Sequence, residues 1–222
     1  MTHSITHIIY DCDGLLLDTE RLHCNVNSAI ATRYGKTFTD EVHHAMIGRP
    51  AEVSSQAIVE MLNLPLSAQE YLVERDQMIT ALYESCDPLP GAKELTLHFS
   101  KRKVPQAIAT SSASPRFGKK MARHQDWLTL FDCIVTGDDP EIQQGKPAPD
   151  IFLITARRLG VAPEHCLVFE DSLAGVAAGK AAGMTVVAVP GPTMAPEEFA
   201  AADQVLPSLF DFDPPRWGLP YA

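Results

Sequence analysis

The stretch Ile5-Thr6-His7-Ile8-Ile9-Tyr10-Asp11-Cys12-Asp13-Gly14-Leu15-Leu16-Leu17-Asp18-Thr19 decides the fold. Its first part, residues 5–10, is a short apolar run of the kind left by a strand buried on both faces. Its second part sets two carboxylates, Asp11 and Asp13, one residue apart at the carboxyl end of that strand, followed by a glycine turn. Like charges at close range repel, and one of the pair tends to stay protonated unless a cation neutralises them. The stretch therefore points to a divalent metal, an acid/base pair, or both.

Working outward, further short apolar runs cover 104–109, 133–136, 166–169 and 185–189, with a candidate sixth at 204–206. From Val104 onward they alternate with helical patterns such as 151–159 and 174–182. The expected fold is α/β: a Rossmann-like parallel sheet with helices on both faces, its ligand-binding edge at the carboxyl ends of the strands. The first two runs are separated by a long gap that reads as helices. Residues 57–62 are apolar at helical spacing, and Ser67-Ala68-Gln69-Glu70 reads as a capping box opening the next helix. A small all-helical domain is therefore expected at 18–87, inserted after the first strand, with the sheet domain made of 1–17 and 88–222. Pro88-Leu89-Pro90-Gly91 is the turn on re-entry. The Pro-rich tail from Phe210 reads as irregular surface structure.

Composition narrows the function. The 222 residues are 45% hydrophobic and 21% charged, a globular balance. A net charge of −10 argues against a nucleic-acid partner, which needs clustered Lys and Arg. Five scattered cysteines without CxxC spacing suggest free thiols in a reducing compartment. No apolar run approaches the ~18 residues of a membrane span, and the first residues lack the pattern of a signal peptide. A cytoplasmic monomer without a membrane partner is the expectation.

Polar clusters stand at or shortly after four of the runs: Asp11 with Asp13, Thr110-Ser111-Ser112, Gly145-Lys146-Pro147, and Glu170-Asp171. If the runs are parallel strands, all four clusters meet at one sheet edge. Their residue types suit phosphoryl transfer. A phosphate dianion repels an anionic nucleophile, so a cation must bridge them, and Mg²⁺ prefers hard oxygen ligands. Asp11 and Asp171, with Glu170, can supply carboxylates; Lys146 adds fixed positive charge; Thr110 to Ser112 can donate to phosphoryl oxygens. Asp13 is then available as general acid for the leaving alcohol. No Gly-x-Ser-x-Gly context marks a serine as nucleophile.

These motifs, Asp11-x-Asp13-Gly14 with Asp18-Thr19, Thr110-Ser111-Ser112, Gly145-Lys146-Pro147-x-Pro149-Asp150 and Phe169-Glu170-Asp171-Ser172-x-x-Gly175, resemble in order the four motifs of the haloacid dehalogenase superfamily. The helical insert resembles the small cap of its phosphoglycolate phosphatase and β-phosphoglucomutase branch. The resemblance implies a Mg²⁺-dependent phosphatase with Asp11 as nucleophile forming an aspartyl-phosphate and Asp13 as acid and base. It implies metal held by Asp11, Asp171 and the Asp13 carbonyl, with Glu170 a nearby or direct carboxylate, and phosphate bound by Thr110, Ser111 and Lys146. Residues 13–22, 109–112, 137–141 and 217–220 resemble the pseudouridine-5'-phosphatase type, which makes pseudouridine 5'-phosphate the favoured guess among small nucleotide and sugar phosphates.

Within the insert, His23 stands where β-phosphoglucomutase carries a histidine, and Arg49 where this branch reaches its substrate; an ordinary histidine on the first helix of the insert and a surface arginine are the alternatives. His23 keeps a phosphosugar mutase in view, though Ile47 and Ala51 do not reproduce that enzyme's cap residues. A binding module without catalysis would have no reason to retain all four motifs. Asp138 and Asp139 read as structural, and Met46, Met61, Leu62 and Leu64 as core.

Overall fold

The computed structural model describes residues 4–46 and 51–220, the His44 side chain apart. The chain divides into two compact units, Met1–Asp18 with Asp87–Ala222, and Thr19–Cys86.

The first unit is built on a six-stranded sheet among the described residues: β1 (His7–Tyr10), β2 (Gln106–Thr110), β3 (Cys133–Thr136), β4 (Cys166–Glu170), β5 (Thr185–Ala188) and β6 (Gln204–Val205). The spatial order is β3-β2-β1-β4-β5-β6, and every pairing is parallel. All residues of β2 and β4 are buried, as expected of strands covered on both faces. All five apolar runs and the sixth candidate are strands. The second starts later than the run 104–109 suggests, because the Val104 amide bonds back to the Phe99 carbonyl at 3.0 Å and delays pairing until Gln106.

The second unit is helical: α1 (Thr19–Arg33), α2 (Asp40–His44), α3 (Ala51–Leu62) and α4 (Ala68–Leu82). The Ser67 capping box is present. The Ser67 hydroxyl accepts from the Glu70 amide at 3.2 Å, and Glu70 Oε2 accepts from the Ser67 amide at 2.8 Å. Met46, Leu62 and Leu64 are buried, but Met61 is 44% exposed. The inward stripe of α3 runs through Ser55, Ile58 and Leu62, so its neighbour Met61 falls on the outer face.

Back in the first unit come α5 (Ala92–Lys101), α6 (Ser114–Lys120), α7 (Gln125–Leu128), α8 (Asp150–Leu159) and α9 (Leu173–Ala181). Phe152 and Ile154 of α8 and Val176 and Ala178 of α9 pack with Ile9, Ala109, Val168 and Val186 of the sheet. Elsewhere in this core, Tyr10 stacks on Phe169 at 5.3 Å, and Phe212 meets Phe169 edge-on at 4.8 Å. Phe212 belongs to the tail that composition suggested was irregular surface. Single turns form at Leu209–Asp211 and Pro214–Trp217, and the tail buries Phe212 and Leu219 while Phe210 stays exposed. Apolar side chains at those spacings outweigh the prolines, which a short 3₁₀ turn tolerates at its start.

Where the chain leaves and rejoins this unit, its two passages run side by side. The Asp18 amide donates to the Asp87 carbonyl and the Leu89 amide to the Leu16 carbonyl, both at 2.9 Å. Among the described residues, no helix is long and apolar enough to cross a membrane.

Candidate active site

The order of the strands settles where a site can form. From β1 the chain winds outward through β2 and β3 on one side, then crosses to β4, β5 and β6 on the other. The connections leave β1 in opposite directions, which opens a crevice at the carboxyl ends of the strands. Asp11 follows the last residue of β1, Thr110 is the last of β2 and Glu170 the last of β4. Tyr10 pairs with both Ile108 and Phe169, so these three side chains come to neighbouring levels of one edge. The Asp11 amide extends the ladder, donating to the Phe169 carbonyl at 3.0 Å.

Two lysines organise the carboxylates gathered there. Lys146 Nζ donates to Asp11 Oδ1 at 2.5 Å, to Glu170 Oε1 at 2.6 Å and to the Ala109 carbonyl at 3.1 Å. Its ammonium also lies 4.9 Å from the Phe152 ring centre. Burial pulls the lysine toward neutrality, but the Asp11 and Glu170 carboxylates outweigh it and hold Lys146 above its ordinary range. Asp11 is buried, and that burial pushes its carboxyl above the usual carboxylate range; Lys146 opposes the shift, while Glu170 and Asp13 add to it.

Glu170 is fully buried. Its second oxygen, Oε2, accepts from the Ser172 amide at 3.1 Å and the Ser172 hydroxyl at 3.0 Å. Ser172 also caps α9, its hydroxyl accepting from the Gly175 amide at 3.0 Å. Glu170 thus sits as a second carboxylate on Lys146, beside Asp11.

Asp13 carries a separate set of donors. Its Oδ2 accepts from the Ser112 hydroxyl at 2.8 Å and from Thr110 Oγ1 at 3.3 Å. Its Oδ1 accepts from Lys120 Nζ at 2.5 Å. Ser112 bridges, because its oxygen also accepts from Lys120 at 2.7 Å. Ser111, expected with Thr110 at the phosphate, is exposed. Asp171 reaches the same loop from β4. A Cβ added to Gly14, whose φ is +81°, would overlap the Asp171 carboxylate, so this glycine supplies both the turn and the space. The structure therefore brings Asp11, Asp13, Thr110, Lys146, Glu170 and Asp171 to one edge. Among the described residues, no three His, Cys, Asp or Glu side chains close around one point as a ready metal cage.

Sequence reasoning missed Lys120. A signal was present: Phe117, Lys120 and Met121 form one buried stripe at helical spacing, and a lysine in such a stripe needs a partner. In the helical unit, His23 Nδ1 lies 2.7 Å from Arg75 Nη2, and Asn27 Oδ1 accepts from Arg75 Nε at 3.1 Å and from the Tyr71 hydroxyl at 2.8 Å. Arg75 was missed because its partners are two turns of another helix. Arg49 lies outside the described residues, with Ile47, Gly48 and Pro50. Asp138 is a structural loop residue: Oδ1 accepts from the Thr136 hydroxyl at 2.7 Å and the Ser114 amide at 2.9 Å.

Comparison with known proteins identifies the family. The family model for haloacid dehalogenase-like hydrolases matches residues 5–183. The (DL)-glycerol-3-phosphatase 2 of Arabidopsis thaliana is 43% identical, over 98% of this chain and 92% of its own. A "probable pseudouridine-5'-phosphatase" of Drosophila melanogaster is also 43% identical, over 97% of this chain and 95% of its own. The crystal structure of a haloacid dehalogenase-like protein from Agrobacterium tumefaciens superposes with a TM-score of 0.80 at 26% identity, covering 93% of this chain and 95% of its own. The chain belongs to the haloacid dehalogenase-like hydrolases, and it is an enzyme of that family whose curated relatives named here are phosphatases.

Proposed function

We propose that this protein is a Mg²⁺-dependent phosphomonoesterase that hydrolyses a small phosphorylated metabolite through an aspartyl-phosphate (an acyl phosphate) on Asp11. The observation that carries this reading is the placing of the Asp11 carboxylate at the switch point, bound by Lys146, with Asp13 two residues on and held by a different set of donors.

The residues suit a hard divalent cation. Asp11, Asp13, Glu170 and Asp171 bring four carboxylates to one sheet edge, and Lys120 and Lys146 are the two lysines that bind them in the hydrogen bonds above. The carboxyl groups outnumber these two lysines, so a cation has acidic oxygens to bind there. All the side-chain donors are hard oxygens, and Mg²⁺ needs only one or two carboxylates when water and substrate oxygens complete its shell. Asp11, Asp171 and the Asp13 backbone carbonyl would hold it, while Glu170 keeps Lys146 in place. Bound there, it would neutralise phosphoryl oxygens so that an anionic nucleophile can approach.

The chain's own groups then divide the work. Asp11 attacks phosphorus, the bond from phosphorus to the ester oxygen breaks, and the electron pair leaves with that oxygen. Asp13 gives it a proton. In the second half Asp13 takes a proton from water as it attacks the phosphoryl-Asp11, releasing phosphate and regenerating the carboxylate. Lys146 and the Thr110 hydroxyl bind phosphoryl oxygens. His23 and Arg49 are our candidate substrate contacts in the helical segment, which we read as a cap, and Arg75 joins them through His23.

The test is phosphate release from purified protein over pseudouridine 5'-phosphate, glycerol 3-phosphate, nucleoside monophosphates and sugar phosphates. It would be run with Mg²⁺, with EDTA, and with Asp11→Asn. Release that EDTA abolishes, Mg²⁺ restores and Asp11→Asn lacks supports the reading. No release from any ester by folded protein with Mg²⁺ sinks it. The two relatives at equal identity bear different substrate names, so both esters belong in the panel.

A further inference from the structure

We infer that Lys120 is a positioning residue for the reaction: it fixes the Asp13 carboxylate in the orientation from which Asp13 serves the leaving oxygen. This rests on the reading of Asp13 as general acid given above.

Three observations carry it. First, the Lys120 side chain is only 3% exposed, whereas the Asp13 side chain is 28% exposed. The lysine is committed to the protein interior, and the carboxylate it holds opens toward solvent, where a substrate arrives. Secondly, the contact is specific at both ends. Lys120 Nζ takes Asp13 Oδ1 at 2.5 Å, the Ser112 hydroxyl takes Oδ2 at 2.8 Å, and Lys120 also donates to that hydroxyl at 2.7 Å. The three groups form a closed ring, and Thr110 Oγ1 adds a donor to Oδ2 at 3.3 Å. A carboxyl group held at both oxygens cannot rotate freely, and fixing the orientation of an acid/base group is a recognised source of rate. Thirdly, packing alone does not call for a lysine. Phe117 and Met121 flank it in the same buried stripe, where an apolar side chain would avoid the large desolvation cost of an ammonium.

Lys120 is also distinct from Lys146 in what it binds. Lys146 serves Asp11 and Glu170, on the side of the attacking atom, and Lys120 serves Asp13, on the side of the leaving group. The site thus uses one buried cation for each of its two working carboxylates.

The experiment compares leaving groups. An alkyl phosphate (glycerol 3-phosphate or pseudouridine 5'-phosphate, whichever the panel ranks higher) needs a proton on its departing oxygen. p-Nitrophenyl phosphate expels a stable phenolate and needs little help. For each ester kcat/KM is measured, which reports the steps through leaving-group departure, in wild type, Lys120→Met, Lys120→Arg and Asp13→Asn. Both esters are assayed on one preparation, so their ratio does not depend on the fraction folded. Lys120→Met should lose about 100-fold on the alkyl ester and about tenfold or less on the nitrophenyl ester, with Lys120→Arg restoring part of the difference. Equal losses on both esters would overturn the proposal and leave Lys120 a packing or charge-balancing group. If Asp13→Asn itself shows no preference for the nitrophenyl ester, the general-acid reading fails and the role of Lys120 fails with it. If Lys120→Met does not fold, Lys120→Gln and Lys120→Arg give the same ratio.

Discussion

Gly175 and Glu170 lie so close that a Cβ on Gly175 would overlap the Glu170 carboxylate. The first turn of α9 thereby seats itself against the carboxylate at the end of β4, which Lys146 binds. In an ordinary helix Gly→Ala gains about 0.5–1 kcal/mol. Gly118, in α6, has nothing within 4 Å of such a Cβ and should show that gain. Gly175→Ala should do the reverse, costing about 1–3 kcal/mol by overpacking, with a fall in kcat as Lys146 loses its partner. Urea unfolding of the two variants, with phosphate release, checks both.

The two members of the Lys146–Asp11 pair should respond unequally to removal. Lys146→Met leaves Asp11 and Glu170 buried beside one another without their cation, and taking one partner from a buried pair costs about 3–5 kcal/mol. Asp11→Asn leaves Lys146 bound to Glu170 and should cost less than Lys146→Met, while abolishing phosphate release. Denaturant midpoints of the two variants at one pH decide the order.

In the helical unit, Asn27 is buried and accepts from both Tyr71 and Arg75. Asn27→Ala strands a buried phenol hydroxyl and a guanidinium N–H, a loss of about 1–3 kcal/mol. Tyr71→Phe removes one donor and leaves Asn27 with Arg75, so it should cost less. Thermal unfolding of both variants tests this, and a destabilisation no larger for Asn27→Ala than for Tyr71→Phe would contradict it.

Acid should find a weak point at the loop after β3. Hydrogen bonds from Arg158 hold Asp139 and Glu141 below the usual carboxylate range, and Thr136 and the Ser114 amide do the same for Asp138. Groups with depressed folded pKa values stabilise fully above their unfolded values near about 4. That stabilisation is lost as pH falls through the folded values. Arg158→Ala should therefore flatten the decline of stability between about pH 4 and 2, seen as a smaller change in urea midpoint. These groups are solvent-accessible, so high salt should mimic part of the substitution.

Most of the sheet was legible because buried parallel strands must be short, apolar and bounded by turns, which is a local property of the chain. The carboxylates were legible for a related reason: Asp11, Thr110 and Glu170 stand at strand ends, so a correct strand assignment brings them together. Lys120 was not legible. A lysine near a helix end is ordinarily solvated, and its partner Asp13 is 107 residues away. Met61 failed in the opposite sense, since an apolar residue in an apolar run says nothing of which neighbour faces inward.

By itself, then, the sequence determined the α/β class, the helical insertion after β1 and the order of the four polar clusters, because each follows from hydrophobic period, turn chemistry and chain direction. Only the tertiary structure decided how the charges pair. Asp11 shares Lys146 with Glu170, and Lys120 takes Asp13, because those choices depend on which buried ammonium can reach which carboxylate across the sheet edge. Desolvation makes a wrong or missing partner costly, and no local pattern in a chain records that distance.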